Sequence, residues 1–287
     1  MDDKLYLPRE TASDGPFSLI ITPERAGWTY SGLKVLTLKP GQSHTWDTGE
    51  DEILILPLSG SAEVTSEAQT CTQTGRRSVF SRVSDFSYAP RDATVTVTSA
   101  PGGAFAIPSA RCARRLEPRY GAAEDVPVEL RGAGQASRQV NNFCSPGAFE
   151  ADKLIAVEVL TPGGNWSSYP PHKHDETRED EAELEEIYYF ETPGLAYQRV
   201  YGTPARPIDV LAEVGTGDVI LIPYGWHGPS IAGPGYHLYY LNVMAGPEPE
   251  RSWRFCDDPA HAWIRDTWVD QAIDPRLPLT SATEDTG

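Results

Sequence analysis

The chain has 287 residues and carries 41 Asp and Glu against 24 Lys and Arg, a formal net charge of −17 that argues against nucleic acid and anionic membrane surfaces as partners. At 39% hydrophobic and 23% charged residues it reads as a folded globular protein, long enough for two domains. No apolar run approaches the roughly 20 residues of a membrane span, the first residues lack a basic-then-apolar leader, and four dispersed cysteines without a C-x-x-C pair read as reduced thiols of a cytoplasmic protein.

In chain order, short runs rich in Val, Ile, Leu, Thr and Tyr occupy 33–38, 53–58, 93–98, 154–160, 187–190, 219–222 and 238–243, bounded by turn residues from a stock of 25 Gly and 25 Pro. Runs of this kind are strands. Thr94, Val95, Thr96, Val97 and Thr98 alternate as a strand with one wet face should. Helical character is confined to 179–186 and 259–269, so the expected fold class is all-β, a sandwich or barrel. Residues 280–287 are small and polar and are expected to fray.

Spacing reveals an internal repeat. Glu52 precedes an apolar run and Gly60; Glu186 precedes another and Gly194. Asp85 to Pro90 and Asp218 to Pro223 share the pattern D-x4-P. The offsets, 134 between the glutamates and 133 between the aspartates, indicate a duplicated β-domain. The boundary falls in the Gly-rich stretch at 131–134, giving domains 1–130 and 131–287.

The chemistry concentrates in the second half. His172-Lys173-His174 places two imidazoles at i and i+2, which on a strand face one side. Glu186 opens the next strand, and His227 follows the strand at 219–222 and a Pro-Tyr-Gly-Trp turn. Three imidazoles and one carboxylate converging in a barrel suit one divalent ion, Zn²⁺ or Mn²⁺, with Fe²⁺ as a further option. The carboxylates at 175–185 read mostly as a solvated acidic loop; Glu186 is preferred because it matches Glu52 and leads into an apolar strand. In the first half, Trp46 and Thr94 stand where a second and third histidine would fall. That half is expected to be metal-free: structural, or a wall of the site and a surface for homo-oligomer formation.

These residues resemble a known family. The second half resembles a cupin in its G-x7-H-x-H from Gly164, its Glu186 strand and the run GDVILIPYGWH at 217–227. The gap from His174 to Glu186 is longer than the usual cupin spacing, and one residue rather than two separates Gly225 from His227. Those departures, with TPGGNWSSYPPHKHD at 161–175, EEIYY at 185–189, QRVY at 198–201 and YYLNVMAG at 239–246, are similar to the signature of the 5-deoxy-glucuronate isomerase family, bicupin enzymes of myo-inositol catabolism. The likeness is most specific at 138–268 and looser in the first half, where Gly27-Trp28, Thr48-Gly49 and RSVF at 77–80 fit.

The resemblance implies two tandem cupin (jelly-roll) β-barrels and the isomerisation of 5-deoxy-D-glucuronate to 2-deoxy-5-keto-D-gluconate. A metal bound to both reacting oxygens would acidify the C–H and hold an enediolate while a base shuttles the proton; a hydride shift would use the same ligands. The substrate is a small sugar acid, so a cation is needed for its carboxylate. Arg199 is the first candidate, with Lys153 and Arg138 next; Lys173 alternates away from the ligand face and reads as structural. Tyr188, Tyr240 and Glu185 are the candidates for the proton shuttle, while His237 and His261 read as structural. A cupin Fe(II) dioxygenase, an isomerase of a related hexuronate and a non-enzymatic sugar-acid-binding bicupin are the competing readings, separated by oxygen consumption, substrate range and turnover.

Overall fold

A computed structural model describes residues 5–283. Its paired strands are antiparallel and form three sheets, and each of the seven expected runs matches a strand, those at 93–98 and 154–160 starting one residue early. The first half forms a nine-stranded sheet around Asp51–Ser66. That 16-residue strand pairs first with Phe86–Ala89 and Gly103–Arg111, then with Gln69–Arg76 and Thr94–Ser99, so one strand serves both layers of its barrel. The second half lies between two sheets. One runs in the order Tyr6–Leu7, Val219–Ile222, Glu185–Glu191, Leu238–Ala245, Ile155–Thr161, Arg138–Asn141, Val128–Arg131. The other runs Asp209–Val214, Ala196–Tyr201, Trp226–Ala232, His172–Lys173, Cys256–Asp257, with Trp166–Ser167 also on Trp226–Ala232. The all-β, two-barrel architecture is therefore the one expected.

Three expectations are corrected. The stretch 179–186 holds no helix; it is an irregular loop running into the strand Glu185–Glu191. The expected helix at 259–269 is a 3₁₀ helix, Ala262–Asp270, in which Trp263, Ile264, Thr267, Trp268 and Val269 are types whose χ1 freedom an α-helix restricts. Residues 280–283 are tied down rather than frayed: buried Thr280 exchanges hydrogen bonds with the Gln139 amide, and Val83 N–H donates to the Ser281 carbonyl at 2.8 Å. Residues 284–287 lie outside the described part of the chain.

The apolar side chains sort into three cores. Ile53, Ile55, Phe105 and Ile107 fill the first barrel; Tyr188, Phe190, Tyr240 and Met244 fill the second. Between the barrels, Leu54, Leu56, Ile187, Tyr189, Leu241 and Val243 form a third core shared by both halves. Strand alternation decides membership: odd positions of 53–55 point into the first barrel and even positions of 186–190 into the second.

Alternation also corrects the register of the repeat. Ile53 pairs with Ala89 as Glu186 pairs with Ile222, both at an offset of 133, so the structural counterpart of Glu186 is Ile53. Glu52 corresponds instead to Glu185, and the two do the same work in opposite directions. Glu52 accepts the backbone N–H groups of Asp152, Lys153 and Leu154 at 2.9, 2.5 and 2.8 Å. Glu185 accepts those of Thr29, Tyr30 and Ser31 at 2.7, 2.7 and 2.8 Å. Each carboxylate thus satisfies three consecutive donors where the other half's chain enters a strand.

A second tie is the ion pair of Arg76 and Glu158. The two side chains are fully buried and bonded in bidentate fashion at 3.0 and 2.8 Å.

Glu52→Ala should lower the unfolding free energy by about 3 kcal/mol or more, since it leaves two buried donors and one half-buried one without a charged acceptor. Urea unfolding monitored by intrinsic fluorescence reads the shift; a wild-type midpoint would mean that the clamp contributes nothing.

Candidate metal centre

Glu186 sits on the barrel-facing side of Glu185–Glu191 and is 3% exposed. His227 comes from Trp226–Ala232 and His174 from just beyond His172–Lys173; both are buried. One donor atom from each of His174, Glu186 and His227 lies within 4.8 Å of the others. Glu186 Oε2 is 2.9 Å from His174 Nε2 and 3.1 Å from His227 Nε2. Every imidazole is anchored through Nδ1: His174 toward the Leu184 carbonyl at 3.1 Å, His227 toward Gly225 at 3.3 Å, His172 toward Pro170 at 3.4 Å. Bonding of this kind puts a proton on Nδ1 and turns Nε2 toward the other donors; His174 Nε2 bonds Glu186 through a proton that a metal ion would have to displace.

His172 stands beside this trio. It is the cross-strand partner of His227, with ring centroids 4.4 Å apart, but its nitrogens fall outside the 4.8 Å set. The structure thus brings three of the four expected donors together and places the fourth ring against one of them. His227 Nε2 is buried and lacks a partner of hydrogen-bonding geometry despite its nearness to Glu186. An orphaned buried imidazole nitrogen beside a carboxylate and a second imidazole fits a borderline divalent ion.

The electrostatics agree with that donor set. Burial pushes the Glu186 carboxyl up, but His227 and His174 outweigh it and hold its pKa near about 2. Burial, with His227 and His174 close by, drives His172 well below the usual imidazole value. For His174, burial opposes protonation, yet the bond to Glu186 and its charge raise the pKa.

Glu186 and His172 line a chamber of about 40 Å³ whose walls also include Arg138, Ser168, Tyr188, Tyr240 and Asn242. Arg131 and Trp253 line both this chamber and a larger cavity of about 400 Å³ beside it. Of the expected shuttle residues, Tyr188 and Tyr240 are here, rings stacked at 5.0 Å. Glu185 is not: alternation turns it toward the first half, where it clamps Thr29, Tyr30 and Ser31.

The three expected cations separate in the same way. Arg199 does share a face with Tyr197 and Tyr201, but that face is the outer one. Its guanidinium bonds Asp209 and the Val210 carbonyl, so Arg199 is no part of the chamber. Lys153 turns its ammonium to the Glu248 carbonyl. Arg138 does enter the chamber. It bonds only carbonyls, Ala136 at 3.1 Å and Tyr169 at 3.4 Å, and forms no ion pair among the described residues. Burial, together with Arg131 and Arg265 nearby, depresses its pKa to about 10. Arg131 and Arg265 are themselves paired, with Glu129 and Asp257.

Lys173 is structural as expected, on Asp175 at 2.6 Å and Glu181 at 2.8 Å. Glu181 is a correction to the solvated acidic loop, being fully buried and holding both Lys173 and Arg178.

Sequence reasoning missed Ser168, Asn242, Arg131, Arg265 and Trp253. Asn242 had a signal: it is the polar residue two positions from Tyr240 in an otherwise apolar strand. Arg265 and Trp253 had none, since packing of the C-terminal segment alone brings them in.

The model of the KduI/IolB family matches residues 5–264. A 5-deoxy-glucuronate isomerase of Geobacillus kaustophilus (strain HTA426) is 40% identical over 281 residues, 92% of this chain and 96% of that protein. The 5-deoxy-glucuronate isomerase of Bacillus subtilis (strain 168) is 40% identical over 250 residues, 85% and 91% of the two chains. Among solved structures, an IolB-like protein from Salmonella typhimurium LT2 superposes with a TM-score of 0.84 at 36% identity, covering 91% of this chain and 98% of that one. Bacillus subtilis oxalate decarboxylase shares the fold at a TM-score of 0.63 and 11% identity, covering 88% of this chain and 79% of its own.

His174→Ala and Glu186→Gln should each abolish tight binding of the single divalent ion expected per chain, and loading the wild type at pH 7 should release protons, because bound imidazole must be neutral. Elemental analysis and titration in weak buffer check both; full metal content in either variant would remove that residue from the site.

Proposed function

The chain belongs to the KduI/IolB family, and on that premise we propose that it is an intramolecular aldose–ketose isomerase, converting 5-deoxy-D-glucuronate to 2-deoxy-5-keto-D-gluconate in myo-inositol catabolism. The relatives that carry this name match nearly end to end at about 40% identity. The observation in the site that favours this reading most is Arg138. A buried guanidinium without a counter-ion, in the same chamber as a His/Glu donor set, calls for an anionic ligand with oxygens to offer.

In this reading Arg138 receives the substrate carboxylate and sets the sugar acid's orientation. A divalent ion held by His174, Glu186 and His227, with His172 beside them, would supply Lewis acidity toward the carbonyl; Zn²⁺ or Mn²⁺ suits the donors. Burial raises the pKa of both Tyr188 and Tyr240. Their hydroxyls therefore stay protonated at neutral pH and serve as hydrogen-bonding groups of the chamber wall rather than as bases. The narrow, buried chamber excludes bulk water from the reacting carbons. The second barrel, whose sheet takes in Tyr6–Leu7 and all of Val128–Arg131 and so sets the boundary before residue 131, is the catalytic part, and the first barrel its support.

Oxygen-free NMR time courses of the metal-loaded protein with 5-deoxy-glucuronate, glucuronate and a neutral aldose test this. Arg138→Ala should lower kcat/KM on 5-deoxy-glucuronate by about ten- to a hundredfold, the equivalent of a charged hydrogen bond, with metal content unchanged. Arg138→Lys, which keeps charge but loses the fork, should fall between. Wild-type kcat/KM in Arg138→Ala would place the carboxylate elsewhere, and oxygen-dependent consumption of substrate would replace isomerisation by oxidation.

A further inference from the structure

Ser168 lines the chamber in a backbone conformation that its residue type seldom adopts. Its φ is +46°, in the left-handed region, and it is buried. The backbone is hemmed in: a Cβ on Gly228 would fall 1.8 Å from the Ser168 carbonyl oxygen. What the strained position achieves is visible at the hydroxyl. Ser168 Oγ lies 3.0 Å from the hydroxyls of both Tyr188 and Tyr240. The Tyr240 hydroxyl also donates to Ser167 Oγ at 2.8 Å, and Ser167 Oγ is 2.6 Å from Thr161 Oγ1. Five hydroxyls thus form one connected chain. Ser168, Tyr188 and Tyr240 meet the chamber that His172 and Glu186 also line.

An aldose–ketose isomerisation turns R–CH(OH)–CHO into R–CO–CH₂OH. The carbon-bound hydrogen moves from one carbon to the next, as a proton or as a hydride. By either route one O–H bond breaks on the carbinol oxygen and one forms on the former carbonyl oxygen. A hydroxyl can do both at once, accepting a proton through a lone pair and giving up its own, and it ends in the protonation state in which it began. Imidazoles fixed by Nδ1 bonds and a carboxylate facing two of them are not free to do so.

Resting on the isomerase reading above, we propose that Ser168 is a catalytic residue: its hydroxyl takes the proton from the carbinol oxygen and delivers its own to the carbonyl oxygen. Tyr188 and Tyr240 orient the serine through their hydroxyls and complete the relay with Ser167 and Thr161. The left-handed backbone aims Oγ at the chamber, and Gly228 makes room for it.

The test compares wild type, Ser168→Gly and Ser168→Ala, all metal-loaded. Glycine relieves the backbone cost, so Ser168→Gly serves as the folded reference, checked by metal content and thermal unfolding. General acid–base groups contribute about a hundred- to ten-thousandfold, so both variants should lose at least about a hundredfold in kcat. KM and metal content should change little, and the solvent deuterium isotope effect on kcat should differ from that of the wild type. Turnover by wild type with Ser168→Gly within threefold of it overturns the relay alone. No isomerisation by the wild type overturns the isomerase reading itself.

Discussion

Two carboxylates hold the halves of this protein in a fixed relation. Glu52 leaves the first barrel's sheet to satisfy three successive backbone donors of the second half, and Glu185 returns the same bond to the first. A carboxylate that accepts several backbone N–H groups is tightly located, because the donors are themselves fixed where a strand begins. Glu185 is one residue from Glu186. Strand alternation then turns the tie between halves into a placement of Glu186: with Glu185 fastened outward, Glu186 must face the barrel interior.

The same economy of faces explains why the His/Glu cluster lies in one barrel and the other lacks the same donors. At the position equivalent to Glu186 the first half has Ile53, packed in an apolar core with Ile55, Phe105 and Ile107. In the second, the equivalent floor carries Tyr188, Tyr240 and Asn242 among apolar neighbours. Polar groups in such a floor are costly unless partnered. The hydroxyl chain through Ser168 partners the tyrosines. Glu186 is partnered by His174 and stands against His227, which lower its pKa despite burial.

A chain with a net charge of −17 still keeps a cationic wall at its chamber. Arg131 and Arg265 are neutralised by Glu129 and Asp257, which leaves Arg138 as the chamber guanidinium without an ion pair among the described residues. Its depressed pKa is the electrostatic signature of burial beside two other cations, and an anionic substrate would relieve it.

The sequence alone determined the all-β class and the strand runs, and of the residues it singled out, His172, His174, Glu186 and His227, the fold brings donor atoms of the last three within 4.8 Å of one another. The class and the runs follow from local rules: apolar runs between turn residues, and the period of two that aligns residues on one face. It could also tell that Tyr197, Arg199 and Tyr201 share a face, but not which face. That choice is made by the sheet packed against the strand, and it put Arg199 outside on Asp209. With glutamates adjacent at 185 and 186, spacing matched Glu52 to Glu186, one residue off the register in which Ile53 is the counterpart of Glu186. Only pairing with Ala245 and Met244, and the donors waiting at 29–31, assigned one to the clamp and the other to the site. The chamber's arginines and Trp253 come from segments over a hundred residues apart, so only the tertiary structure could bring them together.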